Sequence, residues 1–414
     1  MNFSNTQKLN LIAALSLFVK ILVVFFFFED GLKDEWKILL ENFEKNHSFS
    51  YYNFGDLYVP SSYMPPLYLF FIIFCKFLSF DLFNYIYIIY FFQILVSTFS
   101  IFIFFNFCKK FISNFSICLI GVIIFSFFPL LVYGTALISS ATLQVFFYLA
   151  FFNFFLNLID GKKENNLIIS LVASACLLLR GEFIIIFLFS LFYLIVVSKK
   201  YLQKSFLIFL ITLTIISPYL VRNYLISEKI HIVSVTGYAL WKGNNHLSKV
   251  EGYWNSLHPN HRNNWPDNEN FKNLINKLDK IKKNENYEAE RDKIFLLEGI
   301  KNIQEDKMRY FCLYLKKLLS FYFIDINSSY KNYYNIFNIV PIMALSFFSI
   351  PGFFIFFNEK KNDYKFYYIT STLLIFLLII SIFSILPRYK ISILGIQILF
   401  SLFFLKKYFN NFFR

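Results

Sequence analysis

Long apolar runs alternate with short polar connections along most of the chain, and two longer polar stretches interrupt the series. Crossing a hydrocarbon core roughly 30 Å thick takes about 20 apolar residues in a helix. Candidate spans are Leu9–Phe28, Tyr63–Phe80, Phe83–Phe107, Ile112–Tyr133, Leu137–Leu158, Leu167–Leu179, Phe183–Val197, Phe206–Ile226, Ile336–Phe357, Phe366–Leu386 and Ile391–Leu405. The polar interruptions are Glu29–Ser62 and Ser227–Met308. The pattern predicts an all-α polytopic membrane protein of about 10–11 helices. Its parts are an N-terminal transmembrane module (1–226) with an acidic first loop (29–62), a large loop region (227–333), and C-terminal transmembrane helices (334–414).

Within the large loop, Phe271, Leu274, Ile275, Leu278 and Ile281 recur at helical spacing, with Asp267 placed to cap the helix. Tyr287–Ile303 reads as a second amphipathic helix. Tyr310–Phe323 is apolar but carries Lys316-Lys317 at its centre, which favours an interfacial position over a crossing. Met1–Phe28 has one lysine before its apolar run and no small-residue cleavage site after it, so it reads as a retained first span. No internal repeat of fixed period is visible.

Lysine-rich short loops stay on the cytoplasmic side. One register of the later spans puts Lys109-Lys110, Lys162-Lys163, Lys199-Lys200-Lys204, Lys360-Lys361 and Lys406-Lys407 all inside, with the large loop outside. The first loop, with Glu29, Asp30, Asp34, Glu35, Glu41 and Glu44, is also best placed outside. An odd number of crossings must then separate it from Lys109, yet Tyr63–Phe107 holds two apolar runs. Either Tyr63–Phe80, opened by Pro65-Pro66 and carrying Lys76, is partly re-entrant or interfacial, or Lys109-Lys110 departs from the rule.

Composition narrows the class further. Hydrophobic residues make up 57% and charged residues 16%, too little charge to cover a soluble surface, and 60 phenylalanines serve as lipid-facing filler. The net charge of +14 reports orientation first; nucleic-acid binding needs a basic soluble face, and none appears. Cys75, Cys108, Cys118, Cys176 and Cys312 are irregularly spaced in or beside apolar runs, which argues against a disulfide framework or a zinc site. His246, His258 and His261 are likewise too irregular for a metal site. Nothing in the sequence requires a metal or another cofactor.

With only seven arginines, those near spans are informative. Arg180 lies in the Arg-Gly-Glu turn between two short spans, Arg222 closes the span before the large loop, and Arg388 and Lys390 sit in Pro-Arg-Tyr-Lys before the last span. The register places all three sites at the outer surface, where positive charge is normally depleted. Snorkelling anchors explain any one of them. Together they form the ring that an anionic lipid phosphate or diphosphate needs, since a guanidinium binds phosphate bidentately and keeps its charge. Asp34 and Glu35 follow the first span and supply a carboxylate for general-base work, against the simpler reading of a solvated acidic loop. Trp241, Asn244 and Asn245 open the large loop in Trp-Lys-Gly-Asn-Asn, which is either a tight turn or a sugar-contacting patch. Lys20, deep in the first span, faces the bundle interior or marks a shifted boundary.

These residues occur in an order that resembles a known family. Asp34-Glu35 after the first span comes first, followed by Pro65-Pro-Leu-Tyr68, Pro218-Tyr-Leu-Val-Arg222-Asn-Tyr224 and Gly237-Tyr-Ala-Leu-Trp241-Lys-Gly-Asn-Asn245. Glu288-Ala-Glu290-Arg291-Asp292 and Arg388-Tyr389-Lys390 complete the series. Together they resemble the GT-C membrane glycosyltransferases, in particular the bacterial, family 39-like branch related to protein O-mannosyltransferases and the lipid A aminoarabinose transferase. The resemblance covers Leu9 to Leu405 and rests on order and spacing, strongest from Pro218 to Asn245. It implies a GT-C-like bundle in the plasma membrane and inverting transfer from a polyprenyl-phosphate-linked sugar to an envelope glycan, lipid or protein on the extracytoplasmic face. It also implies no nucleotide sugar. Carried over, Asp34 takes the base position with Glu35 beside it. Arg180 stands where such proteins place a basic residue near the donor phosphate, and Arg388 and Lys390 match the basic motif before the last spans. Arg222 for the phosphate, and Trp241, Asn244 and Asn245 for the sugar or acceptor, keep the roles read from their own positions. Where many relatives carry an acidic residue after the fourth span, this chain has Leu137-Ile-Ser-Ser-Ala-Thr142.

Three other readings share some of these features. A transporter or flippase for a lipid-linked sugar needs charges and helix breaks near mid-membrane, for which Pro129 and Pro218 are the candidates. A non-catalytic protein that keeps the fold accounts for the absent acidic residue near Ser139. An O-antigen ligase or polymerase would place its essential residues in the large loop, where Arg262 and Arg291 lack such a context.

Overall fold

In the computed structural model, residues 4–80, 82–253, 269–325, 327–329 and 335–409 are described, except for the side chains of Asp34, Glu269, Asn270 and Phe409. Asp267, His258, His261 and Arg262 lie outside the described residues. Asparagines, abundant in this chain, open many of the helices. Ser4 and Gln7 form a capping box at the start of α1 (Asn5–Phe27). The Asn84, Asn114, Asn165 and Asn335 side chains accept from backbone N–H groups at the starts of α4 (Tyr85–Lys109), α5 (Phe115–Phe127), α8 (Asn166–Leu179) and α15 (Ile336–Lys360). Between the first two come α2 (Asp34–Asn46), the hairpin β1 (Ser50–Phe54) and β2 (Leu57–Pro60), and α3 (Leu67–Ser79). Pro129 ends α5 by opening the short α6 (Pro129–Gly134), so the expected Ile112–Tyr133 span is broken near its end. α7 (Ala141–Ile159), α9 (Phe183–Val197) and α10 (Leu202–Ser227) complete the first half.

The large loop contributes α11 (Thr236–Gly243), α12 (Glu269–Asp279), α13 (Tyr287–Glu305) and α14 (Lys307–Tyr322); α16 (Tyr364–Ile380) and α17 (Ile391–Phe409) close the chain. Among the described residues, six helices are long and apolar enough to cross a membrane, and five more are shorter and apolar. They coincide with the apolar runs of the sequence, and α14 is amphipathic as expected.

The ends of these helices sort into two groups. At one end Lys110 donates to Asn157, Lys365 pairs with Asp160 at 2.9 Å and donates to the Lys110 carbonyl at 3.2 Å, and Lys204 donates to the Glu164 carbonyl at 3.1 Å. The lysine-rich connections therefore gather together. At the other end Asn84 donates to the Asp30 carbonyl at 3.1 Å, and the Arg222 guanidinium holds the Ser61 and Phe49 carbonyls at 2.6 and 3.0 Å. So α4 runs the full depth, from the first loop to the lysine end.

α3 does not. It begins beside Tyr63, and near its end Lys76 pairs with Glu44 of the first loop at 2.5 Å and lies 5.7 Å from the Tyr85 ring centre. Thirteen residues span about 20 Å, short of the hydrocarbon thickness. Both ends of α3 stay on the first-loop side, which favours the reading of Tyr63–Phe80 as re-entrant or interfacial over a crossing.

Two apolar cores follow. One lies within the bundle and is built largely from phenylalanine, such as the Phe104–Phe125 stack at 4.4 Å. Lipid tails are as apolar as these side chains, so packing and interhelical hydrogen bonds hold the helices. Ser16 donates to the Ser126 carbonyl at 3.0 Å, Ser170 to Ile208 at 3.1 Å and Asn153 to Ile103 at 3.1 Å. Such bonds contribute about 0.6 kcal/mol each on average. The second core joins α2, the hairpin and α3 to α11, α12 and α13. The two polar stretches of the sequence thus fold onto each other.

Candidate functional site

Six residues after α1 ends, α2 turns the first loop back over the membrane. Tyr90 accepts the Glu29 N–H at 2.8 Å, fixing this turn to α4. Along α2, Leu39, Leu40 and Asn42 are buried while Lys37, Glu41, Glu44 and Lys45 are exposed. The Asn42 amide donates to the Ser50 carbonyl at 2.9 Å and aligns β1. The hairpin closes through two residues, with Gly55 at φ 70° in the first position, where a primed turn requires positive φ. β1 brings the Tyr51 ring face to face with Tyr63 at 4.1 Å.

The large loop is locked to this hairpin by the buried Glu288 of α13. Its carboxylate accepts from the Ser61 and Ser234 hydroxyls and from the Ser62 N–H at 2.9 Å. Burial raises its pKa above the ordinary value; the serine bonds and Arg222 oppose that rise. The Ser62 hydroxyl also meets His231 Nε2 at 2.7 Å. Arg291, buried beside Tyr52, Tyr238 and Phe295, donates to the Tyr52 hydroxyl at 2.6 Å. Asp292 caps the start of α11 by accepting from the Gly237 and Tyr238 N–H groups at 3.0 and 2.8 Å.

Gly237 has no alternative here. A Cβ at that position would lie 2.1 Å from the Asp292 carbonyl oxygen. This close approach sets α11 against α13 and aims Lys242 at the first loop.

The result is a charged face. Glu35 lies within electrostatic reach of Tyr51, Tyr63, Tyr238 and Lys242. Burial pushes the Tyr238 phenol up to about 12, with Arg291 opposing and Glu35 adding to the rise. The Lys242 pKa is lowered by burial first and by the like charge of Arg388 second, while Glu35 acts to restore it. Arg388 is exposed, and its guanidinium lies 6.0 Å from the Tyr389 ring centre. The Arg180 guanidinium lies 5.7 Å from the same ring centre. Arg180 is oriented by the Gln144 carbonyl oxygen at 3.2 Å, and Gln144 in turn donates to Ser392 at 3.0 Å. Among the described residues, Glu35 and Arg388 thus lie within electrostatic reach of Lys242, and Arg388 shares the Tyr389 ring with Arg180, whose α8–α9 turn also carries Glu182.

No protein-family profile and no curated protein matches the sequence. The fold does match a solved structure, the archaeal oligosaccharyltransferase AglB from Archaeoglobus fulgidus in complex with an inhibitory peptide and a dolichol-phosphate. The TM-score is 0.58 at 10% identity, over 97% of this chain and 50% of that one. The chain therefore spans about half the length of the structure it resembles. The fold is of the GT-C type.

On this GT-C fold the residues singled out in the sequence divide into two sets. Glu35, Arg180 and Arg388 belong to the charged face. Asp34 is the first residue of α2, and its side chain lies outside the described set. Arg222 ties the first loop to α10 through the Ser61 and Phe49 carbonyls. Lys390 turns inward: its ammonium donates to the carbonyls of Phe321, Tyr322 and Phe323 at the end of α14.

Trp241 is fully buried in the second core. Asn244 donates to the Leu240 and Ile382 carbonyls at 2.9 Å each, and Asn245 to the Trp241 carbonyl at 3.2 Å. Their amides therefore close the end of α11 and face no open surface. The residue that reaches the face from this motif is Lys242, which motif reading passed over. Its mark in the sequence was being the motif's only charged side chain.

Proposed function

We propose that the chain is a glycosyltransferase that moves a sugar from a polyprenyl-phosphate donor to a cell-envelope glycan, lipid or protein on the extracytoplasmic face. The observation that carries this reading is the meeting of Glu35 with Lys242, Arg388 and Arg180 at the start of α2 on a GT-C fold. The cations hold the donor phosphate as its charge grows on leaving. Asp34 serves as general base, with Glu35 beside it. The base takes the proton of the acceptor hydroxyl or amine as that atom attacks the anomeric carbon. The bond from that carbon to the phosphate oxygen breaks, its electrons stay on the phosphate, and the configuration inverts. The gathering of lysine-rich connections at the opposite end supports an extracytoplasmic face.

The test is mass spectrometry of envelope glycans and lipid-linked sugars in a deletion strain complemented with wild type, Asp34→Asn or Glu35→Gln. The expected outcome is loss of one sugar from a polymer or lipid, accumulation of its polyprenyl-phosphate donor, and rescue by wild type but not by Asp34→Asn. An unchanged envelope, or full rescue by Asp34→Asn, overturns the reading and moves the assignment to a lipid-linked-sugar transporter or a non-catalytic protein of the same fold.

A further inference from the structure

The polarity of α14 is reversed for a helix on a watery surface. Tyr310, Leu313, Lys317 and Phe321 form one buried stripe at helical spacing. The charge in that stripe points inward: Lys317 donates to the Gly243 carbonyl at 2.8 Å and to Asn244 Oδ1 at 3.1 Å. The opposite stripe is apolar and open. Met308, Phe311, Leu315 and Leu319 recur at the same spacing and are 72%, 56%, 43% and 58% exposed. Lys307 and Lys316, both exposed, flank this stripe on its two sides.

The surroundings of the stripe decide what covers it. The Tyr314 hydroxyl donates to the Leu378 carbonyl of α16 at 3.1 Å, and Ser346 of α15 donates to the Tyr322 carbonyl at 2.7 Å. Ser346 lies ten residues after Ile336 in a helix long enough to cross a membrane, so the end of α14 reaches about 15 Å along α15. There the Phe323 ring meets Phe347 at 6.0 Å, and Phe347 is 63% exposed in the middle of that span. Leu374 and Leu378 of α16 are likewise exposed. The open stripe therefore lies beside side chains that face lipid. An apolar stripe edged by lysines suits a helix seated in the membrane interface, with its ammonium groups reaching up to the phosphates.

We propose that α14 docks in the membrane leaflet on the charged-face side through Met308, Phe311, Leu315 and Leu319, and that this contact holds the end of α11 that carries Lys242. The link is Lys317, whose ammonium grips the two residues that follow Lys242. The partner is a lipid surface, with acyl chains against the stripe and phosphates at Lys307 and Lys316. The proposal does not depend on the transferase reading, because its test reads depth and exchange rather than activity.

Cys312 sits beside the stripe and is exposed, whereas the other four cysteines are buried, so a maleimide dye on the full chain reports from this face. The labelled chain is placed in nanodiscs of phosphatidylcholine and phosphatidylglycerol. Quenching is read with a nitroxide on the lipid acyl chain and with iodide in the water. The reference is a dye on the first loop, at Lys45→Cys in a Cys312→Ser background, an exposed position of α2. At Cys312 the acyl nitroxide should quench at least threefold more than at the reference, and iodide at least threefold less. A Phe311→Asn, Leu315→Asn double variant changes only exposed side chains, so its thermal midpoint in detergent should stay near wild type. In nanodiscs it should reverse the order of quenching and raise hydrogen exchange over residues 236–243 at least tenfold. Iodide quenching at Cys312 equal to the reference overturns lipid docking. Weak quenching by both agents gives the face to a protein segment and overturns it as well. A dye that leaves the lipid in the double variant, with exchange over 236–243 unchanged, overturns the hold on Lys242.

Discussion

Removing the Glu288 side chain should release the first-loop hairpin from the large loop. In wild type the carboxylate accepts from the Ser61 and Ser234 hydroxyls and the Ser62 N–H. Ser234 is only partly buried and can turn to water, whereas Ser61 and Ser62 are 3% and 7% exposed. Glu288→Ala therefore strands two buried donors, each costing about 1–3 kcal/mol. The combined loss is about 3–4 kcal/mol, since bonds to one acceptor do not add fully. At 1.4 kcal/mol per factor of ten this is roughly a 10²- to 10³-fold rise in the opening equilibrium. Hydrogen exchange with mass spectrometry over residues 49–62 reads it directly. Glu288→Gln keeps an acceptor for the Ser62 N–H and offers a donor to Ser61, so its protection should fall by only about tenfold. The pH dependence supplies a second check. Burial raises the folded-state pKa of Glu288, so the native form binds this proton more tightly than the unfolded chain. This group's contribution therefore favours folding as pH falls through its raised pKa toward the ordinary value of 4.5. Hairpin protection, corrected for intrinsic exchange, should hold or rise between pH 7 and pH 5 in wild type and lose this component in Glu288→Gln. Wild-type protection in Glu288→Ala would refute the claim that this carboxylate joins the two polar stretches.

Lys242→Met should raise the donor KM about 10- to 100-fold, the worth of one charge-assisted bond to phosphate, in a detergent assay with the donor identified by the deletion strain. Because Arg388 lowers the Lys242 pKa, Arg388→Gln should move the alkaline limb of donor binding to higher pH; a limb that stays put or moves down contradicts their proximity. Lys390→Met should lower the thermal midpoint by stranding the Phe321, Tyr322 and Phe323 carbonyls, whereas Arg388→Gln should leave it near wild type. The buried thiols Cys75, Cys108, Cys118 and Cys176 report that unfolding to a thiol-reactive dye, and equal midpoints would show that Lys390 has no such holding role. Gly237→Ala should prevent stable docking of α11 on α13, seen as protease cleavage within the large loop, because its methyl would fall 2.1 Å from a backbone oxygen.

The bundle was legible because membrane solvation imposes a simple rule on sequence: every crossing must be apolar over its length. Even the short α3 left a trace, since the lysine-rich connection after α4 demanded an odd number of crossings. The site was less legible for a different reason. Motif order brought out Trp241, Asn244 and Asn245, but order does not say which way a side chain points. Trp241 fills a core, and both asparagines close the end of a helix that the sequence did not mark as one. Their neighbour Lys242 is half-buried, within electrostatic reach of Glu35 and Arg388. The same holds in Arg388-Tyr389-Lys390, where a two-residue step separates a surface guanidinium from an ammonium buried on carbonyls.

That division of labour among cations explains how a chain with so few charged residues builds a cationic face. Arg222, Arg291, Lys317 and Lys390 spend their donors inside the protein, on the Ser61 carbonyl, the Tyr52 hydroxyl, the Gly243 carbonyl and the Phe323 carbonyl. Each ties a loop or helix end that would otherwise leave carbonyls or a hydroxyl without partners in a buried position. Arg180, Lys242 and Arg388 are what those ties hold in place, on three segments far apart in sequence. Like charges brought together repel, and the Lys242 pKa records that cost in its downward shift by Arg388. Among the described residues Glu35 is the carboxylate that offsets it there. An anionic ligand would relieve the same repulsion and should therefore stabilise the fold on binding. Inorganic pyrophosphate, a soluble stand-in for the donor's charge, should raise the thermal midpoint of wild type and not that of an Arg180→Gln, Lys242→Met, Arg388→Gln triple variant. A triple variant that melts higher than unliganded wild type but no longer responds to pyrophosphate would show that the repulsion is real and that anions bind where it is stored. Equal responses in both proteins would place the anion elsewhere and refute the assignment of this face.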